Sequence, residues 1–245
     1  GSLTFTRTLV RDLLAVPEFA NAEIALHDIN ETYLDMIDQL LRKDVKSAKL
    51  PTKISRMTER RKALEDADYI VGCVRIGGLE AFKTDVEIPL KYGVDQCVGD
   101  TLCAGGIMYA QRTIPALLDF CRDIREVSKP GALLLNYSNP NAMNTWACNK
   151  YGGVRTLGLC HGVQGGGERI AEALGVPVKD LDYICAGINH QTWYISIKNK
   201  GLTVSGEELL KAFEKHPVIR KQEKVRIDML KRFGYFTTES NGHVS

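Results

Sequence analysis

The sequence predicts an α/β protein built on a mainly parallel β-sheet. Short, continuous apolar runs alternate with segments that carry apolar residues at helical spacing. Strands of a parallel sheet are covered by helices on both faces, and continuous apolar runs are typical of such strands. The polar residues most capable of chemistry follow these runs, at the edge where open parallel sheets bind ligands.

Five apolar runs are predicted as strands. The first ends beside a carboxylate, Asp28, and the third stops at the Asn-Pro step of Asn139-Pro140. Proline has no N–H group to offer a neighbouring strand, so a strand is expected to break there. The five runs are Ala22–Ile29, Tyr69–Val74, Ala132–Pro140, Thr156–Cys160 and Tyr183–His190.

Helices are predicted where apolar residues recur every three or four positions. The longest is expected from about Gly106 to Val127, with a bend at Pro115. Another opens with the three glycines Gly165–Gly167, whose backbone amides can either face an anion or allow close packing. Further helical segments are Thr8–Leu14, Tyr33–Leu41 and Arg60–Asp68.

Charge and hydropathy argue against nucleic-acid and membrane partners. The 245 residues include 32 basic and 30 acidic side chains, a net charge of +2, with no block of like charge. No apolar run approaches the length of about 18 residues that a membrane span needs. Seven cysteines form no CxxC pair, and their odd number indicates free thiols in a reducing compartment. We therefore expect a cytoplasmic protein.

Asp28 and the turn after Tyr69–Val74 are the candidates for cofactor binding. A carboxylate after the first apolar run can accept both ribose hydroxyls of NAD, although it can also simply cap a helix. The segment RIGG (Arg75–Gly78) can let a backbone approach a pyrophosphate through Gly77, or form a plain tight turn. The sequence leaves both pairs of alternatives open.

Amides and a thiol follow the later apolar runs. Asn136 and Asn139 come at a strand end, and Asn139 can cap the next helix or bond a polyhydroxylated ligand. Cys160 and His190 can hold a divalent transition metal, act as a nucleophilic pair, or merely pack. Asn189 and His161 adjoin them and complete one candidate site.

Taken together, these stretches resemble family four of the glycoside hydrolases, and most closely its α-galactosidase branch. The ordered set of pieces is specific, although no single piece is. It consists of Gly1-Ser2 at the start, ALHDIN, ALEDADYIV, RIGG, IPLKYGV, DTL and AGGI around Cys103, RTIP, LNYSNPNAMNTWA, GLCHGVQ, AGINHQTWY and KRFGYFTTES.

The resemblance implies a Rossmann-type NAD-binding domain and a second, mixed α/β substrate domain. It also implies Mn²⁺ or a similar metal, and hydrolysis by transient oxidation. The sugar loses hydride at C3 to NAD⁺, a base removes the C2 proton, the aglycone leaves C1, water adds and the hydride returns. The metal meets the negative charge that develops on the sugar oxygens.

Residue roles also follow from the resemblance. Cys160 and His190 match the metal ligands, while Asn139 and Asn189 match sugar-binding amides. His161 matches a position that varies among branches, where it bonds the sugar or assists the leaving group. The form Cys-His-Gly resembles the branches that act on unphosphorylated sugars. The cofactor set is Gly1, Ser2, Asp28, Arg75, Gly77 and Asn136.

The resemblance is incomplete in three places. Cys103-Ala104 stands where the family often has Gly-Pro, and the catalytic tyrosine is assigned to Tyr235 in a poorly matching region. The family's chains are longer, so we expect an incomplete substrate domain from 156 to 245, after an NAD-binding domain over 1–155 that lacks its first strand and part of its glycine loop. A homo-oligomer, dimer or tetramer, is expected.

Two other functions remain open from the sequence alone. An NAD-dependent 2-hydroxy-acid dehydrogenase would share the fold, but it needs an Arg/His/Asp clamp and no metal-binding cysteine. A sugar- or NAD-sensing module would keep the binding residues without catalysis. Net NADH formation from a hydroxy acid would favour the first, and metal-dependent glycoside cleavage would exclude the second.

Overall fold

The computed structural model describes residues 3–244, in which helices and strands alternate along the first two thirds of the chain. Gly1 and Ser2, assigned to the cofactor loop, lie outside the described residues. The strands are β1 (Glu23–His27), β2 (Lys53–Met57), β3 (Tyr69–Gly72), β4 (Leu133–Asn136), β5 (Thr156–Gly158), β6 (Leu181–Ile188), β7 (Gln191–Asn199), β8 (Leu202–Thr203) and β9 (Phe236–Thr237).

The helices follow the apolar stripes of the sequence. The longest, Cys103–Val127, continues through Pro115. The helices are α1 (Leu3–Leu14), α2 (Glu31–Ala48), α3 (Arg60–Leu64), α4 (Gly78–Leu90), α5 (Cys103–Val127), α6 (Asn141–Ala147), α7 (Gly162–Leu174), α8 (Gly206–Lys215), α9 (Ile219–Gln222), α10 (Lys224–Phe233) and α11 (Asn241–Val244).

The chain divides into two compact units. Unit 1 consists of Gly1–Gly78, Gln111–Ser138 and Met143–Gly158, and unit 2 consists of Leu79–Ala110, Asn139–Ala142 and Leu159–Ser245. This division shows which residues lie close together in space, and it does not show which of them bind a ligand. The functional boundary between 155 and 156 therefore stays a prediction.

Unit 1 contains the parallel sheets. Strands β1 and β2 pair in parallel, and β3, β4 and β5 form a second parallel sheet in that order. The apolar side of α2 packs Leu34, Ile37 and Leu41 against Leu26 of β1. A second core gathers around α5 and β4, with Leu117, Cys121, Ile124, Leu134 and Cys148 among its buried members. The parallel α/β class is thus confirmed.

Unit 2 contains an antiparallel sheet. Strands β6 and β7 form a hairpin, and β7 also pairs with β8 and β9. Its core includes Ile170 of α7, Tyr194 of β7, Phe213 of α8 and Phe236 of β9. The prediction of a second, mixed α/β domain is confirmed. The interpretation of Asn189-His190 as the end of a parallel strand is wrong, because Ile188 pairs with Gln191 and the two residues form the hairpin turn.

Several elements were not predicted from the sequence, among them β2, α4, β7 and the short elements that follow it. Strand β2 has only two apolar residues, Ile54 and Met57, and no continuous apolar run, while α4 begins inside the RIGG segment and contains Pro89. In the part of the chain that the structure describes, no helix combines the length and apolar character that a bilayer crossing demands.

Candidate functional site

Two groups of potential metal ligands converge in unit 2. One consists of Cys160, His190 and Glu239, and the other of Asp100, His190 and His243. Within each group the candidate donor atoms all lie within 4.8 Å of one another, and only Cys160 and His243 are not fully buried. His190 is common to both groups. Buried ionisable side chains cluster in this way when they share a charged partner or a proton.

Cys160 lies in the short connection between β5 and α7. Its Sγ accepts a hydrogen bond from the Gly162 amide at 3.4 Å and donates one to Oε1 of Glu239 at 3.4 Å. Burial raises the pKa of the Cys160 thiol, and the nearby Glu239 carboxylate raises it further. A thiol held in its neutral form is a poor nucleophile, but a divalent cation can displace its proton.

His190 occupies the second position of the β6–β7 turn, with a φ of 64° and only 7% of its surface exposed. Its Nδ1 lies 2.8 Å from Oγ1 of Thr101. Because Thr101 gives its one hydroxyl proton to Oδ1 of Asp100 at 2.7 Å, it must accept from His190. The ring therefore carries its proton on Nδ1, and the Nε2 lone pair is available to a metal.

The loop that carries Asp100 and Thr101 is held against the first turn of α5. Buried Gln96 accepts a hydrogen bond from the Gly105 amide at 2.8 Å and donates one to the Asp85 carbonyl at 3.1 Å. A Cβ at Gly106 would overlap the Thr101 carbonyl, so only glycine allows this approach. The AGGI segment thereby fixes Thr101 beneath His190.

The segment after β9 carries Glu239 and His243. The buried guanidinium of Arg226, on α10, donates to the carbonyls of Thr237 at 2.8 Å and Thr238 at 3.4 Å. The Thr238 amide donates to the Thr192 carbonyl of β7 at 2.9 Å. These bonds fix the backbone of Thr237 and Thr238 between α10 and β7. The fold of unit 2 therefore directs the Glu239 side chain at Cys160.

The two imidazoles of the cluster are in contact. The rings of His190 and His243 have centroids 4.0 Å apart, and Nδ1 of His243 lies 3.7 Å from Oε2 of Glu239. Burial lowers the pKa of His190, and the neighbouring His243 and His161 lower it further, against the opposing effect of Glu239 and Asp100. His190 is consequently neutral near pH 7, which is the state a metal ligand requires.

The predicted sugar-binding residues lie beside this cluster within unit 2. Nδ2 of Asn139 donates to Oδ2 of Asp100 at 3.1 Å, and α6 begins two residues after Asn139. Oδ1 of Asn189 is buried without a hydrogen-bond partner among the described residues. His161 is exposed and directly precedes α7.

The predicted cofactor residues belong to unit 1. Asp28 follows β1, and its Oδ1 accepts from the Asn30 amide at 2.8 Å. The N-cap of α2 is Asn30, whose side chain accepts from the Tyr33 amide at 3.0 Å, so Asp28 is not the cap. Gly77 and Gly78 have φ angles of 84° and 61°, which confirms a tight turn at RIGG, beside exposed Arg75.

Asn136 and Tyr235 have surroundings that favour other roles. Asn136 is 1% exposed, and its amide bonds the Ser138 backbone and Oγ1 of Thr145, which indicates a structural role in the loop after β4. Tyr235 directly precedes β9 with 50% of its surface exposed. The cofactor role of Asn136 and the catalytic role of Tyr235 stay predictions.

Two glycines of α7, Gly166 and Gly167, serve packing. A Cβ at Gly166 would overlap the hydroxyl of Tyr194, and one at Gly167 would come within 2.8 Å of the Tyr183 ring. Both glycines are buried, and both tyrosines belong to the antiparallel sheet. Of the two alternatives for this segment, close packing is the one that the geometry supports.

Four residues of the cluster were not predicted from the sequence: Asp100, Thr101, Glu239 and His243. They lie in polar stretches without an apolar run to mark them. The one signal for the second pair is the spacing of a carboxylate and an imidazole four positions apart in ESNGH. The thiolate, imidazole and carboxylate donors together fit a divalent transition metal, and the unpartnered Asn189 oxygen fits a polar ligand beside it.

Comparison with known sequences agrees with this chemistry. A profile described as "Family 4 glycosyl hydrolase" matches residues 1–176, and one described as "Family 4 glycosyl hydrolase C-terminal domain" matches residues 185–245. An α-galactosidase of Rhizobium meliloti (strain 1021) is 60% identical over 245 residues, covering 100% of this chain and 50% of that protein. An α-galactosidase of Bacillus subtilis (strain 168) is 34% identical over 245 residues, with coverages of 99% and 56%.

The chain spans about half the length of these curated relatives. Among solved structures, a 6-phospho-α-glucosidase from gut microorganisms, in complex with NAD and glucose-6-phosphate, superposes with a TM-score of 0.83 at 25% identity. The match covers 98% of this chain and 57% of that one. Because the two profiles together cover almost every residue, the chain belongs to family 4 of the glycosyl hydrolases.

Proposed function

We propose that this chain is part of a glycosidase that hydrolyses α-galactosides, or related unphosphorylated α-glycosides, with NAD⁺ and a divalent metal such as Mn²⁺. The observation that carries the proposal is the convergence of Cys160, His190 and Glu239 within 4.8 Å in unit 2. The two α-galactosidases with 60% and 34% identity support the substrate class.

Cys160 and His190 would hold the metal through Sγ and Nε2. When bound, the ion supplies positive charge beside the sugar hydroxyl oxygens on which negative charge develops. Thr101 keeps the His190 ring in the tautomer that leaves Nε2 unprotonated, through its 2.8 Å contact with Nδ1. His190 is buried and Cys160 is partly buried, which limits the access of water that would otherwise compete for the same positions.

Asn139, Asn189 and His161 would orient the sugar. Asn139 already donates to Asp100, and its Oδ1 can accept from a sugar hydroxyl. The buried Oδ1 of Asn189 can accept from another, which would satisfy an atom that otherwise costs free energy. His161 precedes α7 next to Cys160 and is exposed, as a residue that meets the leaving group or a sugar substituent would be.

Unit 1 would bind NAD⁺ at the ends of its parallel strands. Bound NAD⁺ supplies a hydride acceptor for the sugar. Asp28 follows β1, where a carboxylate can accept the ribose hydroxyls, and the tight turn at Gly77-Gly78 presents backbone without side chains. The carboxylate also disfavours a 2′-phosphate by charge, so NAD⁺ is preferred over NADP⁺.

A substrate panel on the full-length protein tests the proposal. Cleavage of p-nitrophenyl α-galactoside should require both NAD⁺ and Mn²⁺, each omitted in turn. Net NADH from a 2-hydroxy acid would support the dehydrogenase alternative, which the family match disfavours. Binding of sugar and NAD⁺ without cleavage of any α-glycoside would support a sensing module.

The isotopic outcome separates the proposed route from ordinary glycosidase chemistry. An oxidation–elimination route exchanges the C2 proton, so hydrolysis in deuterated water should place deuterium on C2 of the sugar product. A two-carboxylate glycosidase develops charge at C1 and leaves C2 untouched. Full rate without NAD⁺ and metal, and no C2 exchange, would refute the route.

Location and assembly belong to the same proposal. The seven free cysteines support a cytoplasmic location, because reducing compartments keep thiols unpaired. A homo-oligomer stays a prediction, which sedimentation of the full-length protein would test. The partner is a small glycoside, with no nucleic acid or membrane.

A further inference from the structure

We propose that Glu239 is a third protein ligand of the metal, joining Cys160 and His190. The inference rests on the proposed function, because it concerns the metal on which that function depends. Its geometric basis is direct: Oε1 of Glu239 lies 3.4 Å from Sγ of Cys160, and donor atoms of all three side chains fall within 4.8 Å. One ion can therefore contact all three after small side-chain shifts.

The charges of the site favour a cation at this point. Glu239 is 7% exposed, and the Cys160 thiolate needed for metal binding would be a second negative charge beside it. Two adjacent buried anions are costly without a counter-charge. A divalent cation between them would balance the two negative charges, so that the ion, the thiolate, the carboxylate and the neutral His190 ring together carry no net charge. The buried cation Arg226 acts on Glu239 only through space, because its guanidinium directly contacts Glu223 and backbone carbonyls.

The donor set also fits the kind of metal. A thiolate and an imidazole alone suit zinc at least as well as manganese, whereas carboxylate oxygens suit manganese. Adding the Glu239 oxygen would move the donor set towards an ion of the manganese type, which would still be able to bind oxygens of the sugar.

The absence of a side chain at Gly162 leaves the space that the Glu239 carboxylate occupies. A Cβ at position 162 would overlap the Glu239 carboxylate, whereas a Cβ at Gly165, in the same helix, would meet no heavy atom within 4 Å. The carboxylate is the flexible end of a side chain, so alanine at 162 would push it away from Cys160 and leave the backbone in place. The second glycine provides a matched control.

Binding of Co²⁺ and Mn²⁺ to the full-length protein tests the inference. Free Mn²⁺ is measured by electron paramagnetic resonance, and the near-ultraviolet thiolate-to-cobalt band reports the Cys160 ligand. Glu239→Gln and Gly162→Ala should each weaken Mn²⁺ binding by ~100-fold or more. This loss of affinity exceeds the one that typically follows when a residue that only hydrogen-bonds a metal ligand is removed. Gly165→Ala should bind like the wild type. Circular dichroism of the metal-free variants establishes that each is folded.

An infrared difference spectrum, metal-bound minus metal-free, identifies the ligand directly. Carboxylate bands should appear in the wild type and in Glu168→Gln, which changes an exposed carboxylate of α7, and be lost in Glu239→Gln. Wild-type affinity and bands in Glu239→Gln, with the cobalt band present, would overturn the Glu239 assignment alone. Absence of the cobalt band from the wild type, or its persistence in Cys160→Ser, would instead overturn the metal site of the proposed function.

Discussion

The hydroxyl of Thr101 lies 2.8 Å from Nδ1 of His190 and, by donating to Asp100, sets the tautomer of the ring. Thr101→Val keeps the shape of the side chain and removes the acceptor. We expect a ~10–100-fold loss of Co²⁺ affinity, the range for removing a group that orients a metal ligand. Thr101→Ser keeps the hydroxyl and should bind normally. Equal affinities for the valine and serine variants would contradict the tautomer assignment.

Metal binding should strengthen with pH. Burial raises the pKa of Cys160, so the thiol is protonated near neutral pH and must lose its proton to become a ligand. Burial and His243 lower the pKa of His190 below its ordinary 6.5, so the ring is already neutral there. Affinity should therefore rise about tenfold per pH unit between about pH 7 and 9, with one proton released per ion.

Calorimetric titration in buffers of different ionisation enthalpy measures that proton directly. Cys160→Ser, which retains no titrating thiol, should bind weakly and without this slope. A pH-independent affinity in the wild type would show that Cys160 is not a ligand. Release of two protons would mean that a second group is deprotonated along with the thiol.

The stability of unit 2 should depend on the glycines of α7. Alanine at 166 would overlap Tyr194, which is 2% exposed, so Gly166→Ala should lower the free energy of unfolding by about 1–3 kcal/mol, the usual cost of overpacking. Gly165→Ala meets no neighbour and should raise it by about 0.5–1 kcal/mol through helix propensity. Urea denaturation followed by circular dichroism compares the two. Equal effects would mean that α7 does not pack as described.

NAD⁺ binding should depend on Asp28. Replacing it with alanine removes an acceptor for the ribose hydroxyls and should weaken NAD⁺ by about 1.5–3 kcal/mol, the range for a hydrogen bond to a charged group. Glu31→Gln changes a nearby exposed carboxylate in α2 and should have little effect. Fluorescence titration of the full-length protein measures both. An unchanged affinity for Asp28→Ala would remove this residue from the cofactor site.

Sequence patterns predicted the parallel part of the fold well because buried strands need continuous apolar runs. Four of the five runs became β1, β3, β4 and β5, and the fifth became β6. Strand pairing is harder to predict, because an apolar run does not show which neighbour it will meet. The turn Asn189-His190 did carry a hairpin signal, an asparagine in a two-residue connection, and the apolar run masked it.

Only some residues of the candidate cluster were named from the sequence, for a similar reason. Cys160 and His190 end apolar runs, which marked both as candidates, although His190 lies in a hairpin turn and not at the end of a parallel strand. Glu239 reaches Cys160 only because Arg226 fixes the backbone ahead of it and Gly162 leaves room. Such contacts between segments distant in sequence depend on tertiary packing, which no local periodicity encodes.

The proposed metal ligands come from three stretches that are far apart along unit 2, around residues 160, 190 and 239. An ion held by all three closes two long chain loops at once, as a pair of cross-links would. The metal-free protein would hold these loops together by packing and by hydrogen bonds such as that from the Thr238 amide to Thr192, so we expect local opening to begin at the segment after β9. Binding of metal should therefore slow proteolysis of that segment. The ion would then stabilise the fold of unit 2 in addition to its proposed role in the reaction.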